Sequence, residues 1–155
     1  MRPKVILLDW DGTIVDKFPL IHQAMNETLK HYGHPPLTDD EAAIHIPRPD
    51  SEKFPEFFGE QSEEALKYFQ TTITDLDQQN EKPKLIDDAE AFMEFLRNLR
   101  KKGVYVGIVS NSRVSAIQRD LQKLGWDDCV DVIVASDSGV QSKPDPQAYK
   151  KALEH

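Results

Sequence analysis

A single cysteine, Cys129, stands in the 155 residues, which excludes an internal disulfide and a cysteine-based metal centre. Its neighbours Val130, Val132 and Ile133 mark it as a buried, inert thiol rather than a nucleophile. Long apolar runs are missing too. Nothing approaches the roughly 20 residues of a membrane span, and the apolar run ahead of Asp9 is too short for a secretory leader. Positive charge is scarce, with 19 Lys+Arg against 27 Asp+Glu and a formal net charge of -8. With no basic stripe, general nucleic-acid and anionic-membrane binding drop out as functions. The basic residues that do cluster, Arg97, Arg100, Lys101 and Lys102, fall at the end of an expected helix and suit the negative end of its dipole. What remains, 39% hydrophobic and 30% charged, is the composition of a globular chain, cytoplasmic by default. Its length fits one ordinary domain, or a small domain carrying an insertion.

The most informative stretch runs from Val5 to Asp16. The apolar run Val5 to Leu8 reads as a short strand buried on both faces, as in a parallel sheet. It ends in two carboxylates, Asp9 and Asp11, followed by the turn residues Gly12 and Thr13. In open α/β sheets the chemistry collects beyond the carboxyl ends of the strands. A carboxylate there is placed to act as a nucleophile, and a second one two residues on can give and take protons. Both offer hard oxygen ligands for Mg2+. A calcium loop also starts Asp-x-Asp, but it needs glycine and glutamate where this chain has Ile14 and Leu20.

Downstream, apolar residues recur at helical spacing from Phe18 to Tyr32, with Gly33 as the stop. Thr38 to Glu41 reads as a capping box. A short helix through Phe54 and Phe57 follows, and then a longer one capped by Ser62. No strand signal appears between residues 17 and 84. The pattern then changes. Asp87 and Glu90 form a capping pair before a helix that Gly103 closes, Val104 to Ser110 is a second strand, and Val114 to Leu124 is a helix. Asp131 to Ala135 is a third strand, and a last helix is expected from Lys143 to Leu153, with Pro144 and Pro146 at its start. Strand alternating with helix implies βαβ units, a parallel sheet and right-handed crossovers. The helical stretch is then an insertion directly after the Asp9–Thr13 turn, a candidate lid.

Two later segments carry chemistry. Ser110-Asn111 at the end of the second strand offers a hydroxyl and free backbone N–H groups to a phosphate oxygen, although taken alone it reads as a helix cap. Lys143, in Lys-Pro-Asp-Pro after the third strand, can neutralise charge as a phosphoryl group moves, although alone it reads as a solvated lysine. Together, Asp9-x-Asp11-Gly12-Thr13, Ser110-Asn111 and Lys143-Pro144-Asp145-Pro146 resemble, in order, three motifs of the haloacid dehalogenase-like phosphohydrolase superfamily. The run from Lys143 to Leu153 is similar to its phosphoglycolate-phosphatase-like branch.

That resemblance implies an α/β fold: a Rossmann-like parallel sheet with helices on both faces, built from residues 1–16 and 85–155, and an all-helical cap over 17–84. It implies a phosphatase acting on a small phosphorylated metabolite through an aspartyl-phosphate. In that scheme Asp9 is the nucleophile and Asp11 the acid and base. Asp9 and the carbonyl of Asp11 bind magnesium, and Gly12, Thr13, Ser110, Asn111 and Lys143 hold the phosphate. The family's fourth motif, a strand ending in Gly-Asp or Asp-Asp, has no counterpart before His155. The C-terminal part of the core is therefore expected to be missing and the first strand to keep an unpaired edge, an aggregation hazard. Asp137 is a poor substitute for that motif's acid. Two alternatives stand beside the phosphatase. One is a phosphomutase or phosphonate hydrolase on the same scaffold, the latter needing a cap lysine such as Lys53 or Lys67. The other is a catalytically silent regulatory protein. Arg48 and Arg113 are candidates for substrate contact against a plain surface role, and His22, His31, His34 and His45 show no ligand spacing.

Overall fold

The computed structural model describes residues 4–141 and 143–154; His155, at the end of the last expected segment, lies outside them. The chain forms two compact units, Met1–Asp16 with Lys82–His155, and Lys17–Glu81.

The first unit is α/β. Strands β1 (Val5–Leu8), β2 (Tyr105–Val109) and β3 (Val132–Val134) make a parallel sheet in the order β1-β2-β3. Leu8 lies opposite Ile108, and Val109 opposite Val134, so all three strands deliver their following loops to one end of the sheet. Side chains alternate across the faces with period two. Ile6, Leu8, Val106, Ile108 and Ile133 face helices α5 (Ala89–Arg100) and α6 (Val114–Leu124), whose Met93, Leu96, Ile117 and Leu121 complete that core. Leu7, Val109, Val132 and Val134 face Ala148 and Ala152 of α7 (Gln147–Leu153) on the other side. Helices therefore cover both faces.

The second unit is all-helical. Helices α1 (Phe18–His31), α3 (Asp50–Phe58) and α4 (Ser62–Gln79) gather around Met25, Leu29, Phe54, Phe58 and Phe69, and the short α2 (Asp39–His45) lies between α1 and α3 in the chain. The Thr38–Glu41 capping box is present, with Thr38 N–H donating to Glu41 Oε2 at 2.8 Å and Glu41 N–H to Thr38 Oγ1 at 3.3 Å. No helix among the described residues is long and apolar enough to cross a membrane.

Several local expectations are corrected. β1 is not buried on both faces: only Leu8 is buried, Ile6 and Leu7 are half-buried and Val5 is exposed, because among the described residues β1 pairs with β2 alone. Asp87 and Glu90 do not cap α5; its N-cap is Asp88, held left-handed at φ 63° without a side-chain cap bond. Ser62 is already inside α4, which continues a 3₁₀ turn at Gly59–Gln61. The last helix starts at Gln147, not Lys143, and Asp145 Oδ1 accepts the Gln147 N–H at 2.9 Å. Arg97 and Arg100 do more than complement a helix dipole. They hold the turn after α6, Arg97 through Asp128 (Nη2–Oδ1 2.9 Å) and the Gly125 carbonyl, and Arg100 through Asp131 (Nε–Oδ1 2.7 Å). Cys129 is fully buried, and desolvation pushes its thiol above the ordinary range.

Candidate active site

The site is built where the three strands end. Asp9 and Asp11 leave β1 into a tight turn in which the Trp10 carbonyl accepts N–H groups from Thr13 (3.2 Å), Ile14 (2.9 Å) and Val15 (3.2 Å). Gly12 closes the turn at φ +76°, a left-handed conformation that any residue with a Cβ adopts at a cost. The turn uses the N–H groups of Gly12, which donates to Val15, and of Thr13. What remains for solvent at these exposed positions is the Thr13 side chain.

Lys143, from the loop after β3, places Nζ 2.7 Å from Asp9 Oδ1. The same oxygen takes the Trp10 N–H at 2.8 Å. Asp9 Oδ2 takes no hydrogen bond from the described residues, and the side chain is 44% exposed. One oxygen is thus held by two donors, and the side chain as a whole remains accessible.

The loop after β2 supplies three consecutive residues with three different contacts. Ser110, buried and anchored by its N–H on Val134 O (3.0 Å), directs Oγ to Asp11 Oδ2 at 3.3 Å. Asn111 makes a reciprocal pair with the Lys143 backbone: its Nδ2 donates to Lys143 O (3.2 Å), and Lys143 N–H donates to its Oδ1 (2.8 Å). Its amide therefore positions the lysine loop. Ser112, which sequence reasoning passed over, donates Oγ–H to Asp11 Oδ2 and its N–H to Ser110 Oγ at 3.1 Å. The chain bends here, and a serine whose hydroxyl accepts the N–H two residues on is a local turn signal that brings both hydroxyls to Asp11.

Asp137 accepts the Val114 N–H at 2.9 Å and so satisfies the start of α6. Within the helical unit, Arg48 is bonded to Glu56 (2.6 Å) and to His45 Nδ1 (3.2 Å). Lys53 is buried, donating to the carbonyls of Ile46 (3.0 Å) and Arg48 (3.2 Å) and paired with Asp50 at 2.8 Å. His22 meets the Leu37 carbonyl at 3.0 Å. These side chains bind their own unit together. Arg113 sits at the N-cap of α6 in extended backbone.

Among the described residues, no three His, Cys, Asp or Glu side chains form a metal-ligating group. The Asp9 carboxylate and the adjacent Asp11 carbonyl are hard oxygen donors. That pair suits Mg2+, which keeps several waters and takes one or two carboxylates together with substrate phosphate.

The sequence matches the haloacid dehalogenase-like hydrolase family over residues 6–155. It is 28% identical over 154 residues to Pyrophosphatase PpaX of Bacillus cereus strain G9842, covering 99% of this chain and 69% of that protein. It is 27% identical over 152 residues to the Pyrophosphatase PpaX of Bacillus velezensis, covering 98% and 68%. Among solved structures, a haloacid dehalogenase-like family hydrolase from Streptococcus pneumoniae superposes with a TM-score of 0.80 at 20% identity, covering 98% of this chain and 69% of that one. A superfamily hydrolase of subfamily IA from Geobacter sulfurreducens gives 0.73 at 19%, covering 99% and 72%. At those identities the structural likeness establishes the fold.

Proposed function

This chain belongs to the haloacid dehalogenase-like hydrolase family, and we propose that it acts there as a magnesium-dependent phosphatase of a small phosphorylated metabolite. The observation that carries the reading is the meeting of three strand ends. Lys143 Nζ lies 2.7 Å from Asp9 Oδ1, while Ser110 reaches Asp11 at 3.3 Å. A nucleophilic carboxylate, a second carboxylate, a hydroxyl and a fixed cation are the parts that phosphoryl transfer through a covalent intermediate uses.

In this reading Asp9 Oδ2 attacks phosphorus, and the bond from phosphorus to the leaving oxygen breaks. Asp11 gives its proton to that oxygen. Asp11 then takes a proton from the water that attacks the aspartyl-phosphate, releasing phosphate and regenerating Asp9. Lys143 orients Asp9 through the 2.7 Å contact and meets the charge of the phosphoryl oxygens. The Asp9 carboxylate and the Asp11 carbonyl would hold magnesium, which when bound would supply Lewis-acid neutralisation of those oxygens. Ser110 and Thr13 are the hydroxyls that bind them. The helical unit, Lys17–Glu81, serves as the cap that selects the substrate, because it is inserted directly after the turn that bears Asp9 and Asp11. Lys53, committed to two carbonyls inside its own unit, weighs against a phosphonate hydrolase.

The test is phosphate release from an aryl phosphate and from inorganic pyrophosphate, the latter chosen because relatives carry the pyrophosphatase name. It is run with magnesium and with a chelator, for the parent chain beside Asp9→Asn. Turnover is expected only in the parent with magnesium. The variant loses at least a thousandfold, since a neutral amide is a poor nucleophile. Undiminished turnover in Asp9→Asn would overturn the mechanism.

A further inference from the structure

Asp120 is a carboxylate with 1% exposure, on the inner side of α6 between Ile117 and Leu121, and no step above uses it. Its Oδ2 accepts the indole N–H of Trp10 at 3.0 Å, across 110 residues of sequence. Trp10 is completely buried. It continues the inward stripe of Ile6 and Leu8, so its ring lies in the core beneath the turn that carries Asp9 and Asp11. A buried carboxylate is costly unless hydrogen-bonded, and a buried indole N–H needs an acceptor. An apolar pair of the same volume would fill this core without either demand. What the polar pair adds is direction: one rotation of the indole, and with it one orientation of the residue between the two carboxylates.

That orientation governs the site through the Trp10 backbone. Its N–H donates to Asp9 Oδ1 at 2.8 Å, and its carbonyl gathers the N–H groups of Thr13, Ile14 and Val15. A turn of Trp10 therefore moves the aim of Asp9 and the base of Asp11 together. We propose that Asp120 is a positioning residue: through the Trp10 indole it fixes the peptide between Asp9 and Asp11, and so the geometry of attack. The proposal rests on the phosphatase reading. In such sites a displacement of about 1 Å can cost a hundredfold in rate.

The experiment compares Asp120→Leu, Asp120→Asn, Trp10→Phe and the Trp10→Phe/Asp120→Leu double variant. Turnover of an aryl phosphate with magnesium is measured alongside melting temperature and the NMR amide resonances of residues 9–13. Asp120→Leu and Trp10→Phe are each expected to lower kcat at least tenfold with KM within twofold. The double variant should be no worse than either single one, as one severed link requires. Asp120→Asn keeps an acceptor, so its kcat should stay within about threefold and its amide resonances near those of the parent. A folded Asp120→Leu protein with kcat and the 9–13 resonances unchanged would overturn the proposal. So would equal losses in Asp120→Leu and Asp120→Asn that track melting temperature, the result of a purely structural role. Should Asp120→Leu not fold, Trp10→Phe against Asp120→Asn carries the same comparison. If the parent chain shows no turnover while the resonances respond to Asp120→Leu and not to Asp120→Asn, the phosphatase reading falls and the fixing of the turn stands.

Discussion

Ser112 donates its hydroxyl to the same oxygen of Asp11 that Ser110 reaches from 3.3 Å, and its carbonyl accepts both the N–H and the hydroxyl of Ser136 at 2.9 Å. Its backbone is thus tied to the loop after β3, and its side chain is a donor of fixed position. Ser112→Ala removes that donor and leaves the longer Ser110 contact. The expected result is a fall in kcat of about tenfold, the equivalent of about 1.4 kcal/mol, with KM little changed. Ser112→Thr, which keeps the hydroxyl, should restore most of it. Steady-state kinetics of the two variants beside the parent decides the point; equal rates for alanine and parent would remove Ser112 from the site. The residues whose side chains meet at the strand ends, Asp9, Asp11, Ser110 and Lys143, were legible because their types and order carry chemistry. Asn111 is a candidate phosphate ligand by its place after the second strand, and its amide also pairs with the Lys143 backbone through Nδ2 and Oδ1. Sequence cannot reveal that pairing, because a backbone acceptor carries no residue signature.

At the scale of elements, the three strands announced themselves by short apolar runs between turns, and the period-two division of their side chains between two helical layers followed. Gly107 shows why the middle strand has a gap in that pattern. It sits on the α7 side of β2, and a Cβ there would stand 2.7 Å from Leu7 Cδ2 and 2.9 Å from Val132 Cγ1. The neighbours close over the missing side chain. Val132 is β-branched and stiff about χ1, so it yields poorly. Gly107→Ala should therefore destabilise the α/β unit by about 1–3 kcal/mol, as overpacking does, although alanine usually suits a strand better than glycine. Urea unfolding followed by tryptophan fluorescence measures it. An unchanged or raised midpoint would show that the strands part without cost. Helix starts were less legible than strands. α5 begins after a left-handed aspartate, φ 63° at Asp88, and α7 begins after Asp145 rather than at the lysine. Both are set by how the preceding loop reaches the sheet, which local propensity does not encode.

For the whole molecule, family and fold class were readable from motif order and strand–helix alternation. The ties between distant turns were not, and they point to how acid acts on the chain. Arg97 and Arg100 on the last turn of α5 hold Asp128 and Asp131, 31 residues on, and Asp131 Oδ2 in turn accepts the Val106 N–H at 2.9 Å. The Arg97 guanidinium bonded to Asp128 keeps that carboxyl below the usual range. A group whose folded pKa is depressed contributes stability above its unfolded pKa and loses it as pH falls through the folded one. Asp128 should therefore stabilise fully at neutral pH and lose its contribution below about pH 4, the ordinary aspartate value. Both tryptophans, Trp10 and Trp126, belong to the α/β unit, so their fluorescence follows that unit alone. Asp128→Asn should melt below the parent at pH 7, and the gap should narrow as pH falls below about 4 and through the depressed folded value. Added salt should narrow the gap at pH 7, because this pair is exposed and screened. A gap that does not narrow at all however far the pH is lowered would mean that Asp128 acts through shape and not through its charge.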